Sequence, residues 1–144
     1  MLTPLTQPPH RDLTVIHPAD PAAGADIDYT VPAHTIIVPV HLEVRLTTSV
    51  AAANRLVSLR FTRGGVPSMS VFAQLVQTAS LTWFYEFAAG LNSMTAATLT
   101  TLQVGLPLYW VLHPTDILTV LLTAGDAADQ LSDCYLHAWQ YPTA

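Results

Sequence analysis

The side chains best suited to chemistry in this sequence are six histidines, and they are widely scattered along the chain. No two of them stand at HxH or HxxxH spacing with carboxylates nearby, the pattern that places two metal ligands side by side on one element. A metal site would have to be assembled entirely from distant segments, so we expect no metal and no cofactor. The histidines are His10, His17, His34, His41, His113 and His137.

Motifs for nucleophilic and nucleotide chemistry are also absent. Cys134 lies in an alternating segment with no basic residue close in sequence, which is typical of a buried, unreactive thiol. The GxSxG elbow and the phosphate-binding motifs GxxxxGK[ST] and GxGxxG do not occur. Glu43 and Glu86 fall in predicted strands, where each is most simply an outward-facing charge. We therefore predict a protein that is not an enzyme.

The composition restricts the class of partner. The chain has 144 residues, enough for one domain, and it is 51% hydrophobic but only 10% charged. A surface with so little charge is expected to be covered in part by other protein. A net charge of -5 without any lysine offers no footprint for nucleic acid. Polar residues interrupt every apolar run well before the roughly 20 residues that cross a bilayer, and the N-terminus lacks a signal-peptide pattern, so we expect no membrane contact.

The clearest structural pattern is a period of two over residues 29–48, which predicts one long β-strand with a single buried side. The predicted buried face comprises Ile36, Val38, Val40, Leu42, Val44 and Leu46. The opposite face comprises Ile37, Pro39, His41, Glu43, Arg45 and Thr47.

The same alternation recurs between turn signals along the rest of the chain and gives about eight strands without a convincing amphipathic helix. The sequence therefore predicts an all-β fold, a single antiparallel β-sandwich of jelly-roll type that spans residues 29–144. The three tryptophans, Trp83, Trp110 and Trp139, lie in predicted strands and fit the core better than a carbohydrate-binding platform.

Residues 1–28 are predicted to form an extended, proline-rich N-terminal arm. They hold five of the 11 prolines, which excludes a regular central strand or helix. Within this arm, residues 12–17 alternate and could add one short edge strand. Two interpretations of the arm stay open: it lies on a neighbouring subunit, or it is a disordered tail.

Several segments of the chain resemble a family of small structural proteins of tailed bacteriophages. The resemblance spans residues 29–141 and is carried by YTVPA (29–33), ANR (53–55), QTASLT (77–82), LP (106–107) and GD (125–126). The sequence departs from the family pattern at His34, where glycine is usual, at Pro114 and Thr115 in place of a glycine-containing turn, and in a last strand without the usual acids.

This resemblance implies a virion structural protein, most similar to the capsid decoration (cement) proteins. Such a protein is a homotrimer that binds the major capsid protein on the outer capsid surface, after assembly in the host cytoplasm, and stabilises the shell by non-covalent stapling. The residues we expect at subunit or capsid contacts lie on the arm and on one face of the long strand. They are Leu2, Leu5, Arg11, Leu13, Val15, His41, Glu43 and Arg45.

Two alternative functions within the virion remain open. A phage tail, baseplate or head-fibre component would bind a receptor or carbohydrate and would need exposed aromatic side chains on loops. A head-completion or tail-terminator protein would form rings of six or more subunits.

The outward face of His41, Glu43 and Arg45 also has a simpler interpretation than a subunit contact. It is a solvated surface with weak cross-strand pairs.

Overall fold

The computed structural model describes residues 12–91, 95–98 and 100–143, which form ten β-strands and no helix. No helix that could cross a membrane occurs in this part of the chain. In chain order the strands are β1 (Asp12–Ile16), β2 (Ile27–Thr30), β3 (Thr35–Thr47), β4 (Leu56–Arg63), β5 (Val66–Phe72), β6 (Thr82–Ala89), β7 (Thr95–Thr98), β8 (Thr101–Leu106), β9 (Ile117–Thr123) and β10 (Gln130–Pro142).

Two stacked sheets make up the fold, which confirms the predicted all-β sandwich. One sheet has six strands in the order β1-β10-β3-β6-β8-β7, and the other has four in the order β2-β9-β4-β5. Because side chains alternate between the faces of a strand, every second residue points into the space between the sheets. That core consists mainly of apolar side chains and includes Leu42, Val44, Leu46, Val57, Leu59, Phe61, Tyr85, Phe87, Leu118 and Val120.

One pairing among the described strands is not antiparallel. β8 runs parallel to β6, with Phe84 opposite Thr101 and Glu86 opposite Gln103. β7 takes the outer edge of the sheet, and β8 returns between β7 and β6. β8 is antiparallel to β7 and lies between β7 and β6, where it runs in the same direction as β6. The sequence showed alternation in this region but not the direction of the strand.

The segment 29–48 is two strands and not one. β2 pairs with β9 in the four-stranded sheet, whereas β3 pairs with β10 and β6 in the six-stranded sheet. Pro32, which has no N–H to donate to a ladder, stands between the two strands. His34 follows it with a left-handed φ of 60°, at the position where the resembled pattern carries glycine. This turn moves the chain from one sheet to the other.

A β-bulge in β3 corrects the predicted assignment of its two faces. His41 lies opposite His137 and Pro39 lies opposite Ala138, so Val40 between them has no partner on β10. An extra residue on one strand shifts the alternation by one position. The buried residues are therefore Ile37 and Pro39 before the bulge and Leu42, Val44 and Leu46 after it. Contrary to the sequence prediction, Ile36, Val38 and Val40 are only half-buried, and they share the outer face with His41, Glu43 and Arg45.

Part of the predicted arm belongs to the sandwich. β1 forms the edge of the six-stranded sheet beside β10, and β2 begins at Ile27. The short edge strand that the alternation suggested is thus present. Of the predicted arm, residues 1–11 lie outside the described residues.

Candidate functional site

Five of the eight predicted contact residues lie on one surface. In an antiparallel pair, residues directly opposite each other point to the same side of the sheet. Leu13 and Val15 of β1 lie opposite Trp139 and His137 of β10, and His137 lies opposite His41 of β3. Together with Glu43 and Arg45, these residues form the outer face of the six-stranded sheet. Leu2, Leu5 and Arg11 lie outside the described residues.

One half of this outer face is polar. The imidazole rings of His41 and His137 meet edge to face, with centroids 5.4 Å apart. Glu43 stands directly opposite Glu86, and the Gln103 amide donates a hydrogen bond of 2.9 Å to the Glu86 carboxylate. Two like charges placed opposite each other on a sheet are unfavourable.

Arg45 has its own partners on β10. Its guanidinium forms an ion pair of 2.8 Å with Asp133 and donates a hydrogen bond of 3.1 Å to the Ser132 hydroxyl. Because both side chains of the ion pair are about 40% exposed, the pair contributes little to stability. These contacts fix the position of the Arg45 side chain, which stays partly exposed to solvent.

The other half of the outer face is apolar and concave. Its main hollow has a volume of about 560 Å³, and a smaller one of about 210 Å³ shares Val38, Tyr109 and Trp139 with it. We call the main hollow the apolar groove. It is lined by Ile36, Val38, Tyr109, Val111, Trp139, Tyr141 and Pro142.

The wall of the apolar groove is the chain that follows β8. Trp110 turns inward and packs against the core ring of Phe61, with centroids 5.8 Å apart. Its neighbour Tyr109 adopts a left-handed φ of 61° and is 82% exposed. Leu112 then pairs with Ile37 through two backbone hydrogen bonds of 2.9 and 3.0 Å. The two inward anchors that follow Tyr109, Trp110 and Leu112, hold this part of the chain against the sandwich and leave the Tyr109 ring exposed beside β3 and β10.

An ion pair fixes the far end of the same wall. Arg63 donates to both carboxylate oxygens of Asp116, at 2.7 to 3.2 Å, and to the Val111 carbonyl at 2.9 Å. Burial alone would raise the pKa of Asp116, but the hydrogen bonds from Arg63 and from the His113 amide outweigh it and hold this pKa below its ordinary value. The wall is thus positioned by charge as well as by packing.

A second cluster of functional groups is sealed inside one end of the sandwich. Arg55 and Asp129 are both 0% exposed and are joined by two hydrogen bonds of 2.9 and 3.1 Å. Arg55 also donates to the Ala53 carbonyl and to the Ser49 hydroxyl, and the backbone amides of Ser49 and Asp126 donate to Asp129 at 2.7 Å each. Burial raises the pKa of Asp129, but these donors more than offset it and leave this pKa at about 2.

Gln77 continues this buried polar network toward the core. Its amide donates to the carbonyls of Leu46 and Leu81, and its oxygen accepts a hydrogen bond of 3.0 Å from the Tyr85 hydroxyl. The backbones of Gln77 and Arg55 are joined by two further hydrogen bonds. The network therefore brings together three of the motifs that carry the resemblance, ANR (53–55), QTASLT (77–82) and GD (125–126).

No protein-family model matches this chain, and no curated protein or solved structure matches it either.

The two regions differ in the groups that they expose. Among residues 12–91, 95–98 and 100–143, no group of three histidine, cysteine or acidic side chains is placed to hold a metal ion. Burial, and then the charges of Asp20 and Glu43, raises the pKa of the Cys134 thiol to about 12, so it stays protonated and unreactive. The buried polar network is closed to solvent, whereas the outer face is open and half apolar.

Sequence reasoning missed two parts of this arrangement. Trp139 was expected in the core but lines the outer face, because the strand that carries it has Ala138 and Leu136 as its inward residues. The pairing of Arg55 with Asp129 spans 74 residues and has no local signal.

Proposed function

We propose that this protein is a non-enzymatic structural subunit of a phage virion, a capsid decoration protein that binds the outer capsid surface as a homotrimer and stabilises the shell. The observation that carries the proposal is the outer face of the six-stranded sheet. A contiguous apolar surface that includes Trp139, Tyr109 and Val38 is costly to leave in water, and such surfaces mark protein contacts. Leu13 and Val15, each 55% exposed, extend it to the sheet edge.

The buried polar network supports the resemblance on which this function rests. Motif residues that meet around Arg55, Asp129 and Gln77 have a common structural task, which is to close the loops at one end of a sandwich. Motifs that hold loops together are expected in a family whose members share a fold but do not share a catalytic reaction. The resemblance is thereby consistent with a virion scaffold and needs no catalytic residue.

The strand order supports the jelly-roll form of the sandwich, which remains part of the proposal. If β7 and β8 are regarded as an insertion, the remaining strands make two four-stranded sheets, β1-β10-β3-β6 and β2-β9-β4-β5. Each sheet then mixes strands from both halves of the chain, as in a fold of two interlocked Greek keys.

The net charge of the chain is -5, which favours a position on the exterior of the capsid over contact with packaged DNA.

The test is to measure the mass of the purified protein alone and after mixing with expanded empty capsids. The proposal predicts a trimer that saturates sites on the capsid surface. A variant that lacks residues 2–11 leaves all ten described strands intact and reports on the arm. Failure of the intact protein to bind capsids at any concentration would contradict the decoration function, and a ring of six or more would favour a head-completion or tail-terminator protein.

A second function is favoured by one observation, the aromatic lining of the apolar groove. Tyr109 on a loop, with Trp139 and Tyr141 beneath it, offers ring faces to a ligand. A tail, baseplate or head-fibre component that binds a receptor or carbohydrate would use such a surface. Saturable binding to a host glycan by the isolated protein, lost in Tyr109→Ala, would favour this function over decoration.

A further inference from the structure

The apolar groove has the composition of a site for proline-rich peptide. Three of its seven lining residues are aromatic, namely Tyr109, Trp139 and Tyr141, and Ile36 and Val38 form its floor. Grooves lined by aromatic rings bind proline-rich segments because a polyproline II helix is ordered before it binds. The loss of conformational entropy on binding is correspondingly small.

The chain itself contains a segment of this kind. Residues 1–11, MLTPLTQPPHR, include Pro4, Pro8 and Pro9 and two leucines, and they lie outside the described residues. In polyproline II conformation such a segment would span about 34 Å, at about 3.1 Å per residue. The segment joins the fold at Asp12, which pairs with Gln140 on the strand that carries Trp139 and Tyr141. Its apolar side chains suit the groove.

The prolines in the sequence of residues 1–11 favour a groove on another subunit. The groove lies on the two strands next to β1, within about 10 Å of Asp12 at the usual strand spacing. To enter its own groove, the chain would have to turn sideways across β10 immediately before Asp12, and Pro8 and Pro9 restrict such a turn. A neighbouring copy presents the same groove without that turn.

We propose that the apolar groove binds residues 1–11 of a neighbouring copy of this chain, in polyproline II conformation. This inference rests on the proposed function in one respect, that the protein works as an assembly of identical subunits. Each copy would then donate one segment and accept another. Leu2 and Leu5 would fill the apolar floor while the proline rings stack on Tyr109 and Trp139.

The direct test uses the variant that lacks residues 2–11 and a synthetic peptide of residues 1–11. Binding is followed by calorimetry and by tryptophan fluorescence, since Trp139 lines the groove. We expect saturable binding that Tyr109→Ala weakens by about tenfold, the loss of one good aromatic anchor. The matched control is Val66→Ala, which removes a 66% exposed side chain from the far edge of the other sheet and should leave the affinity unchanged. A peptide with all three prolines replaced by alanine should bind less tightly.

The outcomes separate this inference from the proposed function. If the intact protein assembles and coats capsids but the peptide does not bind, or binds equally well to Tyr109→Ala, the groove is not the acceptor and the inference is overturned. If the peptide binds but the intact protein is a monomer, the segment occupies its own groove, which also overturns it. If the peptide binds and the deletion dissociates the oligomer, the inference holds even where capsid binding is absent, and only the decoration function fails.

Discussion

The buried polar network and the outer face of the six-stranded sheet use similar side chains for opposite purposes. Arg55 and Asp129 are sealed from water, and their polar atoms find partners within the chain. Arg45, Glu43 and the aromatic rings around Trp139 lie on the surface, where Glu43 faces Glu86 and the apolar groove is open. The difference indicates that the first region stabilises the fold, whereas the second leaves apolar and charged groups exposed, which we propose a partner covers.

The largest effect on stability is expected from breaking the buried ion pair. Arg55→Met leaves the Asp129 carboxylate buried without its cation, which should lower the free energy of unfolding by about 3–5 kcal/mol. Chemical denaturation measures this loss. The double variant Arg55→Met with Asp129→Leu removes both charges and should recover part of it. A loss below about 1 kcal/mol in the single variant would show that the network is not the main support of this end of the sandwich.

Lowering the pH should also destabilise the buried polar network around Asp129. The folded-state pKa of Asp129 is about 2, below its ordinary value, so its contribution to stability is complete above the unfolded-state pKa near 4 and is lost as the pH falls toward 2. Asp116, whose pKa is also lowered, adds to the loss in the same direction. We expect the free energy of unfolding to fall by about 2 kcal/mol or more between pH 5 and pH 2. Asp129→Asn should show a weaker pH dependence over this range, and an equal dependence would refute the assignment.

A smaller loss is expected at the inner end of the network. Tyr85→Phe removes the donor to the Gln77 oxygen and leaves that buried acceptor unsatisfied, at a cost of about 1–2 kcal/mol. Thermal or chemical unfolding measures it. Phe84 stands next to Tyr85 and points outward, and Phe84→Leu is the control that changes an aromatic ring without touching the network. If both variants unfold alike, the hydrogen bond to Gln77 contributes nothing of its own.

The smallest effect on stability is expected on the outer face. Tyr109 is almost fully exposed, so Tyr109→Ala should change the free energy of unfolding by less than about 0.5 kcal/mol while reducing self-association. Unfolding curves and sedimentation of the same samples check both statements. A marked loss of stability would mean that Tyr109 supports the fold, which would erase the contrast between the two regions.

Sequence periodicity predicted the sandwich because nearly every strand buries one face. Val57, Leu59 and Phe61 in β4, and Tyr85 and Phe87 in β6, are buried as their alternation indicated. This signal is local, since it depends only on which residues stand two positions apart. It also placed His41, Glu43 and Arg45 on one face of β3.

What the sequence could not predict depends on contacts between distant residues. The bulge at Val40 is defined by the register against β10, and it moved Ile36 and Val38 to the outer face, where they form the floor of the groove. The turn at His34 and the parallel direction of β8 likewise depend on which strand lies alongside. The groove itself, made from three separate segments, therefore had no signature in any one of them.

The central claim is that the outer face of the six-stranded sheet is the surface through which this protein assembles. The most direct test compares Val38→Arg, in the apolar groove, with Leu121→Arg, a half-buried aliphatic residue on the outer face of the four-stranded sheet. Oligomer mass and capsid binding are measured for both variants after circular dichroism confirms that each is folded. We predict that Val38→Arg abolishes assembly and that Leu121→Arg leaves it intact. Assembly that survives Val38→Arg, or fails only in Leu121→Arg, would contradict the claim.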